Sequence, residues 1–521
     1  MRSLVVRCLL VALLVTPAVY AHDVTISGTT SFAALDGSSL DHDGVANGVF
    51  TVSDGNLIIN GVVNCNDDGG NDSACSMAFN VSGNVVINSG GALYAENRTG
   101  AGSGGTITLT VGGNLVLNGT AIVSTASNSS SGGTGGAITA NVTGAVTLAS
   151  GTTIDGGSAN ARGGNVTIVA GGAVSIDGNV LSGPSRTILS TRLTDVALNG
   201  GTGNQVGGAI SIRSSTFSEP GIVVSANANI ISQGDAGGAG PVTIEGCGIE
   251  VRGLVAALSR KDSAATVSIR SGKALLVDGR DLGAASGARM GRVRADAPTG
   301  NALSKGVDLF APDAVSVLGP GGSLFAVSSH PGQNDSKSYG GTIRIYSTDN
   351  SVTVSGNAAD SGQSASGDTG GTIDIQSKGD ANLDTAALRA LGDFNTNNSN
   401  RGGGDIKVRS YSGNVIWTNG LGEVRPVGSA SGLVPADQGA IVLTACGTVN
   451  TTGSTFPVMG TPTSVFPEVH TGVCSPAAPS LPAGTPPFVT CNTPPVANPA
   501  SATTNEDTAV TVHLSGSDAD G

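Results

Sequence analysis

The chain has 521 residues, of which 81 are Gly, about twice the usual share. Charged residues make up 12%, aromatic residues 3%, and the formal net charge is −13. A disordered chain would carry more charge and fewer Val, Ile and Leu residues, a helical one far fewer Gly, and collagen would place Gly at every third position. Scattered Lys and Arg on an acidic chain also make a poor nucleic-acid binder and a poor partner for anionic lipid.

Arg2 and Arg7 precede an apolar run from Cys8 to Val15, followed by Val19-Tyr20-Ala21. This charged, apolar, small-residue order predicts a cleaved signal peptide over 1–21. The run is shorter than the ~20 apolar residues of a retained membrane anchor. Cys8 precedes most of it, which does not suit a lipoprotein cysteine. Residues 22–49, with Asp41-His42-Asp43, are expected to form an N-terminal cap. No later segment has the 18 consecutive apolar residues of a membrane span.

A repeat dominates residues 50–450. Gly55-Asn-Leu-Ile-Ile-Asn60, Gly83-Asn-Val-Val-Ile-Asn88, Gly113-Asn-Leu-Val-Leu-Asn118, Gly144-Ala-Val-Thr-Leu-Ala149 and Gly172-Ala-Val-Ser-Ile-Asp177 start 28, 30, 31 and 28 residues apart. A second phrase precedes the later copies, as in Gly105-Thr-Ile-Thr-Leu109 and Gly164-Asn-Val-Thr-Ile168, and returns at Gly208, Gly341, Gly371 and Gly404. A looser third strand follows each copy, as in Thr152-Thr-Ile-Asp155. Three alternating strands per unit of about 30 residues, with Gly-rich corners, predict an all-β right-handed parallel β-helix. A β-propeller would need four strands per blade. Between about 215 and 340 the period blurs, and longer turns are expected there.

Six cysteines follow the leader. Cys65 and Cys75 bracket a polar loop, Asn66 to Ala74, and are expected to pair; so are Cys446 and Cys474, around a Pro-containing stretch. Cys247 and Cys491 have no evident mates. Residues 451–491 are rich in Pro, which removes ladder donors. They are expected to end the stack as a Cys-containing cap and linker.

Residues 50–450 resemble the β-helical passenger regions of bacterial surface adhesins of the filamentous-haemagglutinin-like and autotransporter types, on the repeated G-G-x-[IV]-x-[IV] and G-N-[LV]-[VI]-[LI]-N phrases. The N-P-N-L and N-P-N-G-I export signatures of the two-partner group do not occur. Residues 492–521, with Thr504-Asn-Glu-Asp-Thr-Ala-Val510 and Ser517-Asp-Ala-Asp-Gly521, resemble the start of a tandem bacterial Ig-like or cadherin-like repeat. This resemblance implies an incomplete β-sandwich, a chain that is part of a longer protein, and Ca²⁺ ligands at Glu506, Asp507, Asp518 and Asp520. Surface and turn acids are the alternative reading of those four residues. The loop Asn66-Asp67-Asp68-Gly69-Gly70-Asn71-Asp72 also offers oxygens to a cation, but lacks the twelfth-position Glu of an EF-hand.

β-Helices also carry polysaccharide lyases and glycoside hydrolases, which need carboxylates facing one groove or a base near a cation or Arg. Asp155, Asp177 and Asp278 follow strands and precede Gly, a turn pattern; Asp155 and Asp177 lie in neighbouring units but in different strands of the unit. Trp417 sits within a repeat strand and is expected in the core or on a sheet face. His22, His42, His330, His470 and His513 are dispersed. Thr106-Ile-Thr-Leu-Thr110 raises ice binding, but the outward residue varies between units. The expected function is an exported adhesin or structural stalk, monomeric or part of a longer chain, binding extracellular polysaccharide or a host or bacterial surface through turn loops. No cofactor is required beyond possible Ca²⁺, and no catalytic residue is assigned. An acidic cluster on one face across three adjacent coils would instead favour a carbohydrate-active enzyme.

Overall fold

The computed structural model describes residues 24–31, 49–66, 73–98, 102–127, 133–158, 161–183, 206–216, 219–234, 237–259, 263–280, 291–296, 305–319, 323–325, 341–356, 363–364, 371–390, 392–393, 404–424, 426–427, 439–457, 467–491, 496–497 and 516–517. These residues are all-β. Three long sheets, entirely parallel, contain 14, 14 and 13 strands. The chain visits them in rotation: Met77–Val81 in sheet I, Val85–Ile87 in sheet II, Ala92–Tyr94 in sheet III, then Ile107–Val111 in sheet I again. The arrangement is consistent with a parallel β-helix. At about 4.8 Å per strand step, 14 strands rise roughly 60 Å.

Register explains the repeated phrases. Leu57, Val85, Leu115 and Val146 lie directly above one another in sheet II. Phe79, Leu109, Ala140 and Ile168 do so in sheet I. All eight are at most 1% exposed, and their ladders run into one continuous core. Sheet I strands alternate buried and exposed residues, since only one face meets the core. Burying each large aliphatic side chain contributes about 1.5–3 kcal/mol.

Both asparagines of G-N-[LV]-[VI]-[LI]-N form ladders of their own. Asn56 Oδ1 accepts from Asn84 N at 2.7 Å, Asn84 Oδ1 from Asn114 N at 2.7 Å, and Asn114 Oδ1 from Ala145 N at 2.7 Å. At the other end of the phrase, Asn88 Nδ2 donates to Asn60 Oδ1 and Asn118 Nδ2 to Asn88 Oδ1. The first ladder thus satisfies a backbone donor at the corner of each next coil, and the second links side chain to side chain.

The stretch with blurred period stays in the stack. Val242 pairs with Val267, 25 residues on, and Val267 with Val307, 40 residues on. The longer turns expected there are accompanied by shorter ones. At the start, Val24–Ile26 and Thr30–Ser31 supply the end strands of sheets II and III, so the segment expected as a cap contributes to the first coil.

The Pro-rich segment differs from a linker that leads away. Glu468–His470 adds to sheet I beside Ile441–Ala445, and residues 475–491 then run back along that sheet. Ser475 N donates to Tyr411 O at 3.1 Å, Lys378 Nζ to Pro476 O and Ala477 O, and Arg270 Nη1 to Pro486 O at 2.7 Å. Pro cannot donate, but its carbonyl still accepts, and the Lys378 and Arg270 contacts are made to carbonyls of the run. The run ends in a disulfide between Cys491 and Cys247, Cα atoms 5.6 Å apart. Cys65 pairs with Cys75 and Cys446 with Cys474, as their spacing predicted. The mates of Cys247 and Cys491 were not legible because 244 residues separate them.

Coil backbones abut at Gly corners. A Cβ on Gly136 would lie 1.6 Å from Gly105 O, so no larger residue fits without parting two coils. Gly136→Val is expected to destabilise the chain by about 2 kcal/mol or more, with faster amide exchange confined to coils near 105–164. Unchanged exchange there, read by hydrogen–deuterium mass spectrometry, would contradict the stacking.

Candidate functional site

The outward side of sheet III carries a groove of about 270 Å³ across four neighbouring coils. Its strands place Tyr94, Ser124, Asp155 and Leu181 in one ladder and Ile122, Thr153 and Asn179 in another. Glu96, two residues beyond Tyr94, also lines it. Glu96 is 1% and Asp155 6% exposed.

Both buried carboxylates are held. Glu96 Oε1 accepts from Ser124 Oγ at 2.5 Å and Oε2 from Arg98 Nε at 3.1 Å, while the Glu96 amide donates to Asn66 Oδ1 at 2.8 Å. Asp155 Oδ1 accepts from Gly157 N at 2.7 Å, the local turn that Asp-Gly predicted. The Arg98 guanidinium lies 5.3 Å from the Tyr94 ring centroid, a cation–π contact at the groove wall. Tyr94 and Asp155 belong to coils two steps apart, about 9–10 Å along the stack. The groove therefore offers an aromatic face, hydroxyls, an amide and two anchored carboxylates. Such groups hydrogen-bond and stack on a polar ring.

Of the acids singled out in the sequence, Asp155 lies in this groove. Asp177 follows Ile176 of sheet II and is not brought to it. Asp278 is buried and accepts from Arg280 Nε at 2.9 Å and Nη2 at 3.0 Å. The Arg280 guanidinium holds its carboxyl below the ordinary range. Trp417 is fully buried, donates from Nε1 to Ala386 O at 3.1 Å and packs edge-on against Phe456, which makes it core. His470 is bonded to Glu468 at 2.8 Å. Glu506, Asp507, Asp518 and Asp520 lie outside the described residues, as do Asp67 to Asp72 and His22, His42, His330 and His513. Among the described residues no three His, Cys, Asp or Glu gather as metal ligands.

Sheet I has two outer faces in succession. In one outward ladder Thr108, Thr139, Thr167, Ser211, Thr243 and Ser268 follow one another, then Asp308, Arg344, Asp374 and Lys407. Six consecutive hydroxyls result; Thr243 and Ser268 were not legible because the repeat period blurs where they lie. The neighbouring ladder reads Thr110, Asn141, Val169, Arg213, Glu245, Arg270, Phe310, Tyr346, Gln376 and Arg409, so no flat Thr array forms.

The charged half lies where residues 482–486 cross it, around a cavity of about 480 Å³. Arg270 pairs with Glu245, and Arg344 Nη1 donates to Asp308 Oδ1 at 3.0 Å. Burial pushes the Asp308 carboxyl up despite Arg344. Tyr346 donates to Asp374, and burial together with that carboxylate raises its phenol far above the ordinary value. Tyr411 donates to Gln376 Oε1 at 3.0 Å, and the Arg409 guanidinium sits 4.1 Å from the Tyr411 ring centroid. Comparisons with models of protein families, with curated proteins and with solved structures gave no match.

Because the Asp278 carboxyl is held below its unfolded value, its contribution is complete above ~pH 4 and is lost as the pH falls through the lowered native value. Arg280 is half exposed, so Asp278→Asn is expected to cost only about 1 kcal/mol at pH 7. The difference from wild type in thermal melts should shrink steadily below ~pH 4. A penalty that persists at low pH would show that the carboxylate charge is not what matters.

Proposed function

We propose that this is an exported bacterial surface or extracellular-matrix protein, a right-handed parallel β-helix of about 30 residues per coil that serves as adhesin or stalk and binds glycan in the sheet III groove. Right-handedness follows from the near-universal hand of parallel crossovers. The observation that carries the binding reading is the groove itself, where an aromatic wall and polar groups surround carboxylates already hydrogen-bonded within the protein. Anchored carboxylates accept from sugar hydroxyls without reorganisation, which suits recognition. Repetition along a long chain would add avidity. The antiparallel pairing of Val496–Ala497 with Gly516–Ser517 supports the reading of 492–521 as the start of an Ig-like or cadherin-like repeat, with Glu506, Asp507, Asp518 and Asp520 as its Ca²⁺ ligands.

A second reading, a polysaccharide hydrolase or lyase, is favoured by one feature. Glu96 and Asp155 face the same groove across three coils, with Ser124 between them. The two readings separate when the chain is incubated with a panel of extracellular polysaccharides, with and without Ca²⁺, and retention and product are read together. Retention without new reducing ends or unsaturated products is expected, weakened about tenfold by Tyr94→Ala, as for loss of one good stacking contact. Products that disappear in Glu96→Gln or Asp155→Asn would overturn adhesion in favour of catalysis. Neither retention nor product would leave a stalk without a glycan site.

A further inference from the structure

The run 475–491 returns along sheet I from the coil of Tyr411 to that of Gly246. This passes five strand steps, about 24 Å along the stack. It is closely seated: a Cβ on Gly272 would lie 2.1 Å from Val489 O. Its far end is covalent, through Cys247–Cys491. The chain that continues past Cys491 therefore leaves from beside the middle of the stack, although its sequence follows the last coil.

This topology fixes how tension travels. Between the first coils and residues 492–521 the backbone is continuous to Cys247, crosses the disulfide and exits at Cys491. Residues 248–490 form a closed loop off that path. They hold the charged and aromatic residues of sheet I from Arg270 onward, most of the lining of the cavity under residues 482–486, and the nested Cys446–Cys474 pair. We propose that Cys247–Cys491 acts as a mechanical bypass: it moves the load-bearing attachment of residues 492–521 to the middle of the stack and leaves the coils from 248 to 450 unloaded.

Without the bond, the same load enters the returning run at Cys491. It then meets the Arg270–Pro486, Lys378–Pro476 and Tyr411–Ser475 contacts one after another, a peeling geometry. Cys446–Cys474 would become the next covalent stop. Cys247–Cys491 and the nested Cys446–Cys474 thus mark two alternative attachment points on one stack.

The test is single-molecule stretching of the whole oxidised chain held at its two ends. With the bypass in place, its full extension falls short of the unbridged chain by the 244 steps between Cys247 and Cys491 and the 10 between Cys65 and Cys75, about 840–910 Å at ~3.3–3.6 Å each. A Cys247→Ser, Cys491→Ser double variant recovers most of that length. It keeps only the deficits of Cys65–Cys75 and Cys446–Cys474, together about 125–140 Å. An oxidised wild-type chain that already extends to the length of the double variant overturns the proposal. The wild-type extension decides the matter even if the double variant does not fold.

Discussion

Everything in this chain depends on one constraint: each coil is built directly on the one before it, in register, through parallel backbone ladders. A coil cannot bury its own inward face, and its stability comes from the coils on either side. That is why the same residue type recurs at the same place. Leu, Val and Ile stack inward at sheet centres, Asn stacks at the corners, and Gly occupies the points where two backbones come too close for a Cβ. Change at one level is transmitted first to the levels above and below.

The outer surface is under no such demand, and it is there that the coils differ. Early in sheet I the outward residues are small and uncharged. From Arg213 onward acids, Arg and aromatic residues take over, and they are arranged so that opposite charges fall in neighbouring coils. Glu245 meets Arg270, Asp308 meets Arg344, and Arg344 in turn is opposite Asp374. Stacking at ~4.8 Å makes every outward residue a close neighbour of its equivalents, so a like-charged ladder would repel along its length. The returning run lies over this face and uses its cations to satisfy proline carbonyls. Sheet III solves the same problem differently, by burying Glu96 and Asp155 among hydrogen-bond donors, Arg98 and Gly157 from their own coils and Ser124 from the coil next to Glu96.

The parallel sheets, the strand phrases and the pairing of Cys65 with Cys75 and Cys446 with Cys474 were legible in the sequence, because each is a local or periodic signal. The G-N-[LV]-[VI]-[LI]-N phrase even contained the reason for its two asparagines, once the copies are set one above another. Less could be read where neighbours in space are distant and unequal in sequence. Cys247 and Cys491 lack a local cue, and the destination of the Pro-rich segment depends on them. The last members of the hydroxyl ladder, Thr243 and Ser268, lie where the repeat period blurs. Glu96 escaped notice for a different reason: it lies just past the end of a short third strand, outside any repeated phrase, and only the register beside Ser124 and Asp155 gives it a place in a groove.

The stacking register is tested most directly by paired cysteines on the outer face of sheet I. Thr139 and Thr167 are direct partners, whereas Val169 is opposite Asn141. Cα atoms of direct partners are about 4.8 Å apart, within disulfide reach, and those of Thr139 and Val169 are beyond it. On mild oxidation the Thr139→Cys, Thr167→Cys variant should form one additional disulfide, found by peptide mapping without reduction, and the Thr139→Cys, Val169→Cys variant should not. Bridging in the second variant and not in the first would contradict the registered stack.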